Sequence, residues 1–149
     1  MTRIHVLNGP NLNLLGRREP AIYGHDSLAD IEARLVTWGD ARGVRMDFRQ
    51  SNHEGVLIDW LHEAAEEADG VILNPGGLTH GSVALLDAIQ AIPIPVVEVH
   101  LSNIHAREDF RARSLTARAA AGIIAGFGAL GYELAAEALL RLLRDDTDR

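Results

Sequence analysis

The sequence predicts an α/β fold: a five-stranded parallel sheet in the order 2-1-3-4-5, with helices on both faces. Three observations lead there. Short apolar runs alternate with amphipathic segments along the chain. Each run is followed by a helix or helical turn, the crossover that parallel neighbours require. Polar clusters rich in Asn, Gly and His follow the first four runs, where ligands bind in open α/β sheets.

The elements follow in order. Ile4–Leu7 reads as a first strand, and Asn8–His25 as a long polar loop. Ser27 is placed to cap a helix with Leu28, Ile31, Leu35 and Trp38 on one face, ending near Gly43. Val44–Arg49 alternates as a strand. Glu54–Ala68 repeats its apolar residues with the helical period. Val71–Leu73 is a strand closed by Asn74-Pro75-Gly76-Gly77, and Ser82–Ala91 is helical. Pro95–His100 is a strand, Ala106–Arg111 makes one or two helical turns, Ile123–Ala125 is the last strand and Leu134–Leu143 the terminal helix. At 149 residues the economical solution is a single three-layer, flavodoxin-like domain over residues 1–149.

Composition narrows the function. The formal charge of −7 argues against nucleic acid or an anionic membrane as the main partner. There is no Cys, and all 14 basic residues are Arg. Thiol nucleophiles, Cys-ligated zinc and lysine imines are therefore excluded. No apolar run is long enough to span a bilayer, and the first residues enter a strand without a secretory apolar region. A cytoplasmic enzyme or binding domain is expected.

The loop after the first strand is long enough to be a lid or a binding loop. Arg18 and Tyr23 flank Pro20 within it, so a bend brings guanidinium and phenol together. A nearby cation favours phenolate and lowers a tyrosine pKa from its reference of about 10. Spacing alone favours the plainer reading of a packed Tyr23 and a solvated Arg18. His100 ends a buried strand and suits acid–base work or a bond to backbone. Glu98 shares its face and is placed to hold the ring or to pair with an Arg. The Leu101 and Ser102 amides begin a turn suited to a carboxylate.

Asn74 can donate to and accept from hydroxyls, and the following glycines permit close approach to a ligand or simply a tight turn. Asp87 interrupts a helix that is otherwise apolar nearly all round, which points to a subunit interface. Gly126–Gly131 matches a dinucleotide fingerprint, but no strand follows to carry the ribose-binding acid; tight turning and close helix–sheet packing explain it better. His80, Asp87, His100 and His105 lack metal-ligand spacing, so no metal is expected.

Five ordered segments carry a resemblance: Leu7–Gly24, Gln50–Gly55, Ile72–Gly77 with Thr79-His80, Val97–Asn103 and His105–Arg111. Together they resemble the type II 3-dehydroquinate dehydratases. The resemblance implies a flavodoxin-like fold, a homododecamer built as a tetramer of trimers, and no cofactor. It implies dehydration of 3-dehydroquinate to 3-dehydroshikimate through an enolate, in the shikimate pathway or in quinate catabolism. Tyr23 is then the base, with Arg18 lowering its pKa, Asn11 holding a water on the enolate oxygen, and His100 the general acid. Asn74, His80 and Arg111 hold substrate hydroxyls, and the Leu101 and Ser102 amides take its carboxylate. Asp87 reaches in from a trimer neighbour, and Glu98 orients Arg18 or His100. Gly81 and Leu86 depart from the family pattern, where Thr or Ser and Arg are usual. The lysine-free composition agrees, because the type I route to the same product needs a lysine imine. Two other readings are a pocket-bearing sensor of polyhydroxy acids without catalysis and a flavin or dinucleotide protein.

Overall fold

The computed structural model describes residues 1–147. Five strands form one parallel sheet in the order β2-β1-β3-β4-β5: β1 Thr2–Asn8, β2 Val44–Gln50, β3 Gly70–Asn74, β4 Val96–His100 and β5 Gly122–Ala125. Helices α2 (Leu28–Asp40), α3 (Glu54–Glu67), α4 (Val83–Ala91) and α5 (Leu130–Thr147) cover it, and a single turn, α1 (Pro20–Tyr23), lies in the first loop. None of the described helices is long and apolar enough to cross a membrane.

The pleat divides the core. Ile4 and Val6 of β1, Ile72 of β3 and Val97 and Val99 of β4 pack with Ile31 and Leu35 of α2 and Ala135 and Leu139 of α5. Leu7, Val71, Leu73 and Val96 project to the other face, against Leu57 and Leu61 of α3 and Leu85 and Ile89 of α4. Strands buried on both faces read as continuous apolar runs, which is why the sequence pattern finds them.

Local chemistry sets the helix starts. Ser27 and Asp30 form a reciprocal capping box at α2, the Asp30 N–H donating to Ser27 Oγ at 3.1 Å and the Ser27 N–H to Asp30 Oδ2 at 2.9 Å. Ser82 accepts from the Leu85 N–H at the start of α4. Helix α2 stops at Asp40, short of Gly43, and α5 begins four residues before Leu134. Gly131, a poor helix former, disguises that start. Its bare Cα sits close to β4, where an added Cβ would stand 3.4 Å from Val99 Cγ1.

Two segments gain detail. The long polar first loop contains a 3-10 turn at Leu12–Leu14 and the α1 turn. Ala106–Arg111 is two separate 3-10 turns, Ile104–Ala106 and Asp109–Ala112. The first is started by the Asn103 side chain, which accepts from the His105 N–H.

Candidate active site

The loops after β1 and β3 meet backbone to backbone at the carboxyl edge of the sheet. The Gly9 N–H donates to the Asn74 carbonyl at 2.8 Å, and a Cβ on Gly9 would stand 2.6 Å from the Pro75 carbonyl oxygen. Gly76 answers it with φ +60° and the Pro10 carbonyl 3.0 Å from where its own Cβ would be. The loop after β2 supports both: Gln50 Nε2 donates to the Gly9 carbonyl, and the Asn11 N–H donates to Asn52 Oδ1. Asn11 itself is left-handed at φ 70°, a region that Asn enters more readily than most residues.

These loops and those after β4 enclose a cavity of about 170 Å³. Nine of the residues singled out from sequence line it: Asn11, Arg18, Tyr23, Asn74, His80, His100, Leu101, Ser102 and Arg111. Glu98 lies behind His100, fully buried. Asp87 is on the exposed side of α4 and outside the cavity of its own chain.

The α1 turn, entered through Glu19 at φ 35° and Pro20, presents the half-buried Tyr23 to the cavity. Arg18 Nη2 donates to the Tyr23 hydroxyl oxygen at 3.1 Å, and its Cζ stands 4.4 Å from the ring centroid. A second guanidinium, that of Arg107, stands 5.2 Å from the same centroid and also lines the cavity. Sequence reasoning missed Arg107. Its signals are its place within His105–Arg111, one of the segments that carry the resemblance, and its position four residues before Arg111.

Of the two partners the sequence offers Glu98, it is His100 that its carboxylate meets. His100 Nε2 lies 2.9 Å from Glu98 Oε2, while Arg18 is engaged with Tyr23. Three hydroxyls, those of Thr79, Ser114 and Thr116, also hydrogen-bond the Glu98 carboxylate. Burial opposes its ionisation, but the hydrogen bonds from His100, Thr116 and Ser114 outweigh that and hold Glu98 below the usual carboxylate range.

Asn74, 2% exposed, donates through Nδ2 to the Tyr132 hydroxyl at 2.9 Å and accepts from the Gly76 N–H through Oδ1 at 3.1 Å. One N–H and one oxygen lone pair remain for a ligand. Burial pushes the Tyr132 phenol up, well above the ordinary tyrosine range, so it stays protonated and donates to Asn8 Oδ1 at 2.7 Å. Asn8 and Tyr132 are further residues that the sequence reading did not single out. His80 Nδ1 lies 2.8 Å from the Arg113 carbonyl; only a protonated Nδ1 can donate there, which leaves Nε2 for the cavity. Arg111 is braced by Glu108 at 2.7 Å and lies over Phe110.

Gly126 and Gly128 adopt positive φ in the turn from β5 to α5. Their N–H groups donate to the His100 and Leu101 carbonyls. The glycine run therefore anchors the strand-4 loop, in keeping with the structural explanation preferred over a dinucleotide fingerprint.

Comparison with known proteins bears on this geometry directly. Residues 2–140 match the family model described as dehydroquinase class II. The chain is 59% identical over 140 residues to a 3-dehydroquinate dehydratase of Halalkalibacterium halodurans, covering 94% of this chain and 97% of that protein. It is 61% identical over 136 residues to 3-dehydroquinate dehydratase 1 of Agrobacterium fabrum, covering 91% and 94%. Its backbone superposes on the crystal structure of a type II dehydroquinase from Butyrivibrio crossotus with a TM-score of 0.91 at 40% identity, over 93% of this chain and 97% of that one. A parallel sheet of order 2-1-3-4-5, its loops converging on an Arg–Tyr pair and a Glu-backed histidine, thus accompanies end-to-end similarity, and the chain belongs to the class II dehydroquinase family.

Proposed function

We propose that this chain dehydrates 3-dehydroquinate to 3-dehydroshikimate through an enolate, with Tyr23 as base and His100 as acid. One observation carries the reading: a guanidinium donates to the only phenol lining a cavity that also contains a carboxylate-backed imidazole. The names of the relatives support the substrate.

The chemistry follows from what each group can do. The chain has no lysine, so the ketone is enolised without an imine. The Tyr23 oxygen takes the proton beside the ketone, and Arg18 and Arg107 compensate negative charge on that oxygen. A water held by Asn11 hydrogen-bonds the enolate oxygen as charge develops there. The enolate then collapses, expelling the hydroxyl β to the carbonyl as His100 Nδ1–H protonates it. Asn74, His80 and Arg111 hold substrate hydroxyls, and the Leu101 and Ser102 amides receive the carboxylate. Asp87 acts in the site of a neighbouring subunit within a trimer, four trimers making the dodecamer. The outward side of α4, with Val83 at 59% exposure beside Asp87, suits such an interface.

The test is a single assay. Purified protein given 3-dehydroquinate is expected to generate an enone absorbing in the near ultraviolet, undiminished by EDTA or by borohydride added with substrate. Tyr23→Phe is expected to bind substrate, by calorimetry, with turnover lost. Full turnover in that variant overturns the assigned base; no turnover in the parent chain overturns the reaction.

A further inference from the structure

The Glu98 carboxylate has a more elaborate enclosure than an orienting residue needs. It is 0% exposed. Ser114 Oγ donates to Oε2 at 2.7 Å, Thr116 Oγ1 donates to Oε1, and Thr79 Oγ1 lies 3.1 Å from Oε2. The hydroxyls also touch one another: Thr79 Oγ1 is within hydrogen-bond distance of both Ser114 Oγ and Thr116 Oγ1. They arrive from separate elements, Thr79 from the 3-10 turn after β3 and Ser114 and Thr116 from the segment leading to β5. Among the described residues, no cation takes part apart from the His100 ring when it is protonated.

Proton counting gives the enclosure a meaning. A carboxylate accepts only, whereas a carboxylic acid must itself donate from one oxygen. Thr116 claims Oε1. Ser114 Oγ already accepts from the Ala117 N–H at 3.0 Å, which turns its own proton toward Oε2. A protonated Glu98 would have to turn at least one of these hydroxyls away from the carboxyl and make it accept. The arrangement suits the anion, and an anionic Oε2 2.9 Å from His100 Nε2 requires that nitrogen to be the donor. The acid is then the imidazolium: Glu98 holds Nε2–H, and the proton available to the cavity is the second one, on Nδ1.

We propose that Thr79, Ser114 and Thr116 are positioning residues for the general acid: they keep Glu98 in its anionic form, and Glu98 holds the Nε2–H of His100, so that the second proton, carried by the imidazolium, sits on Nδ1 toward the substrate. The inference rests on His100 being the acid of the proposed dehydration. It adds a connection to substrate binding, because the same segment supplies the Arg113 carbonyl that holds His80 and the Leu115 N–H that holds the Thr79 carbonyl at 2.7 Å.

The experiment combines kinetics with a probe that needs no turnover. Thr116→Val and Ser114→Ala are expected to lower kcat about 10-fold or more, as befits a hydrogen bond to a charged group, with KM changed less than about 3-fold since neither residue lines the cavity. Nitrogen-15 spectra of the imidazoles, with His100 assigned by His100→Gln and its ring titrated to the neutral form, are expected to show Nε2–H in the parent chain and a mixture of tautomers in Thr116→Val. Thr116→Ser, which restores a hydroxyl, is expected to recover both kcat and the tautomer. Parent-like kcat and tautomer in Thr116→Val and Ser114→Ala overturn the proposal. So does a Thr116→Ser variant as slow as Thr116→Val, which would assign the loss to packing. If the parent chain fails to dehydrate 3-dehydroquinate, the proposed reaction falls, while the spectra still decide whether the hydroxyls set the His100 tautomer.

Discussion

Arg18 and Tyr23 form a stacked, hydrogen-bonded pair: Nη2 reaches the phenolic oxygen at 3.1 Å while Cζ lies 4.4 Å from the ring centroid. Two such links act as one device, so their removal is expected to be non-additive. Arg18→Ala should cost about 10²-fold or more in kcat and Tyr23→Phe about 10²–10⁴-fold, the range of positioned acid–base groups. The double variant should be little worse than Tyr23→Phe. Arg18→Lys should recover only part of the loss, because an ammonium lacks the planar fork that donates and stacks at once. Steady-state kinetics of the four proteins check this; additive losses would mean that Arg18 serves the substrate and not the tyrosine.

The closeness of the first and third loops makes a different prediction. Gly9→Ala puts a methyl 2.6 Å from the Pro75 carbonyl, so backbone must move, and overpacking of this kind costs about 1–3 kcal/mol. A lowered melting temperature and a raised KM are expected together, since Asn11 and Asn74 ride on the two loops. Gly55→Ala is the control. Its Cβ enters open space in the first turn of α3, and gains of up to about 1 kcal/mol are expected for that exchange in a helix.

How far the sequence reveals all this depends on the range of the interaction. Strands and helix faces are legible because they rest on local periodicity, and the strand order because few topologies suit a five-stranded parallel sheet of this length. Of the nine cavity residues, Asn11, His80 and Arg111 are legible through the family resemblance, and the others also through their place in the loops that follow strands. The Asn8–Tyr132–Asn74 chain is not. Tyr132 reads as one more apolar position of α5, and its partners lie 58 and 124 residues away. The Glu98 hydroxyls are hidden for the same reason, each an ordinary Ser or Thr until the fold brings two loops onto β4. Arg107 is missed because charge in a loop carries no period, and its partner Tyr23 is on the far side of the cavity in sequence.

Acid stability follows from two buried groups with shifts of the same sign. His5 is 3% exposed, and burial holds its pKa below the ordinary 6.5 despite Asp47 Oδ2 at 3.8 Å. Nδ1 has no hydrogen-bond partner among the described residues. The unfolded chain protonates first in both cases, so stability is complete above the unfolded pKa and is lost as pH falls through the lower folded value. For His5 the loss begins below about 6.5 and for Glu98 below about 4.3. Denaturant unfolding across pH is therefore expected to be flat above about pH 7, with a first decline from His5 of at most about 1.4 kcal/mol per pH unit. To a second decline, at lower pH, Glu98 contributes together with Asp47 and Glu63, whose carboxyls Arg49 holds below the usual range. His5→Leu should remove the first decline and leave the second. A first decline that persists in that variant assigns it to another group.

Asp87 offers the sharpest test of assembly, because it is exposed on its own chain and outside its own cavity. If it completes a neighbour's site, Asp87→Ala and Tyr23→Phe are each nearly inactive alone but complementary when mixed. A site is whole when its own chain is the Asp87→Ala variant, which keeps Tyr23, and the neighbour is the Tyr23→Phe variant, which keeps Asp87. Random assembly of equal amounts in a cyclic trimer gives about one quarter of such sites. Co-refolding the two variants is thus expected to restore about a quarter of parent activity, while mixing without subunit exchange restores none. No gain on co-refolding, or sedimentation as a monomer at assay concentration, would confine Asp87 to its own chain and remove it from the site.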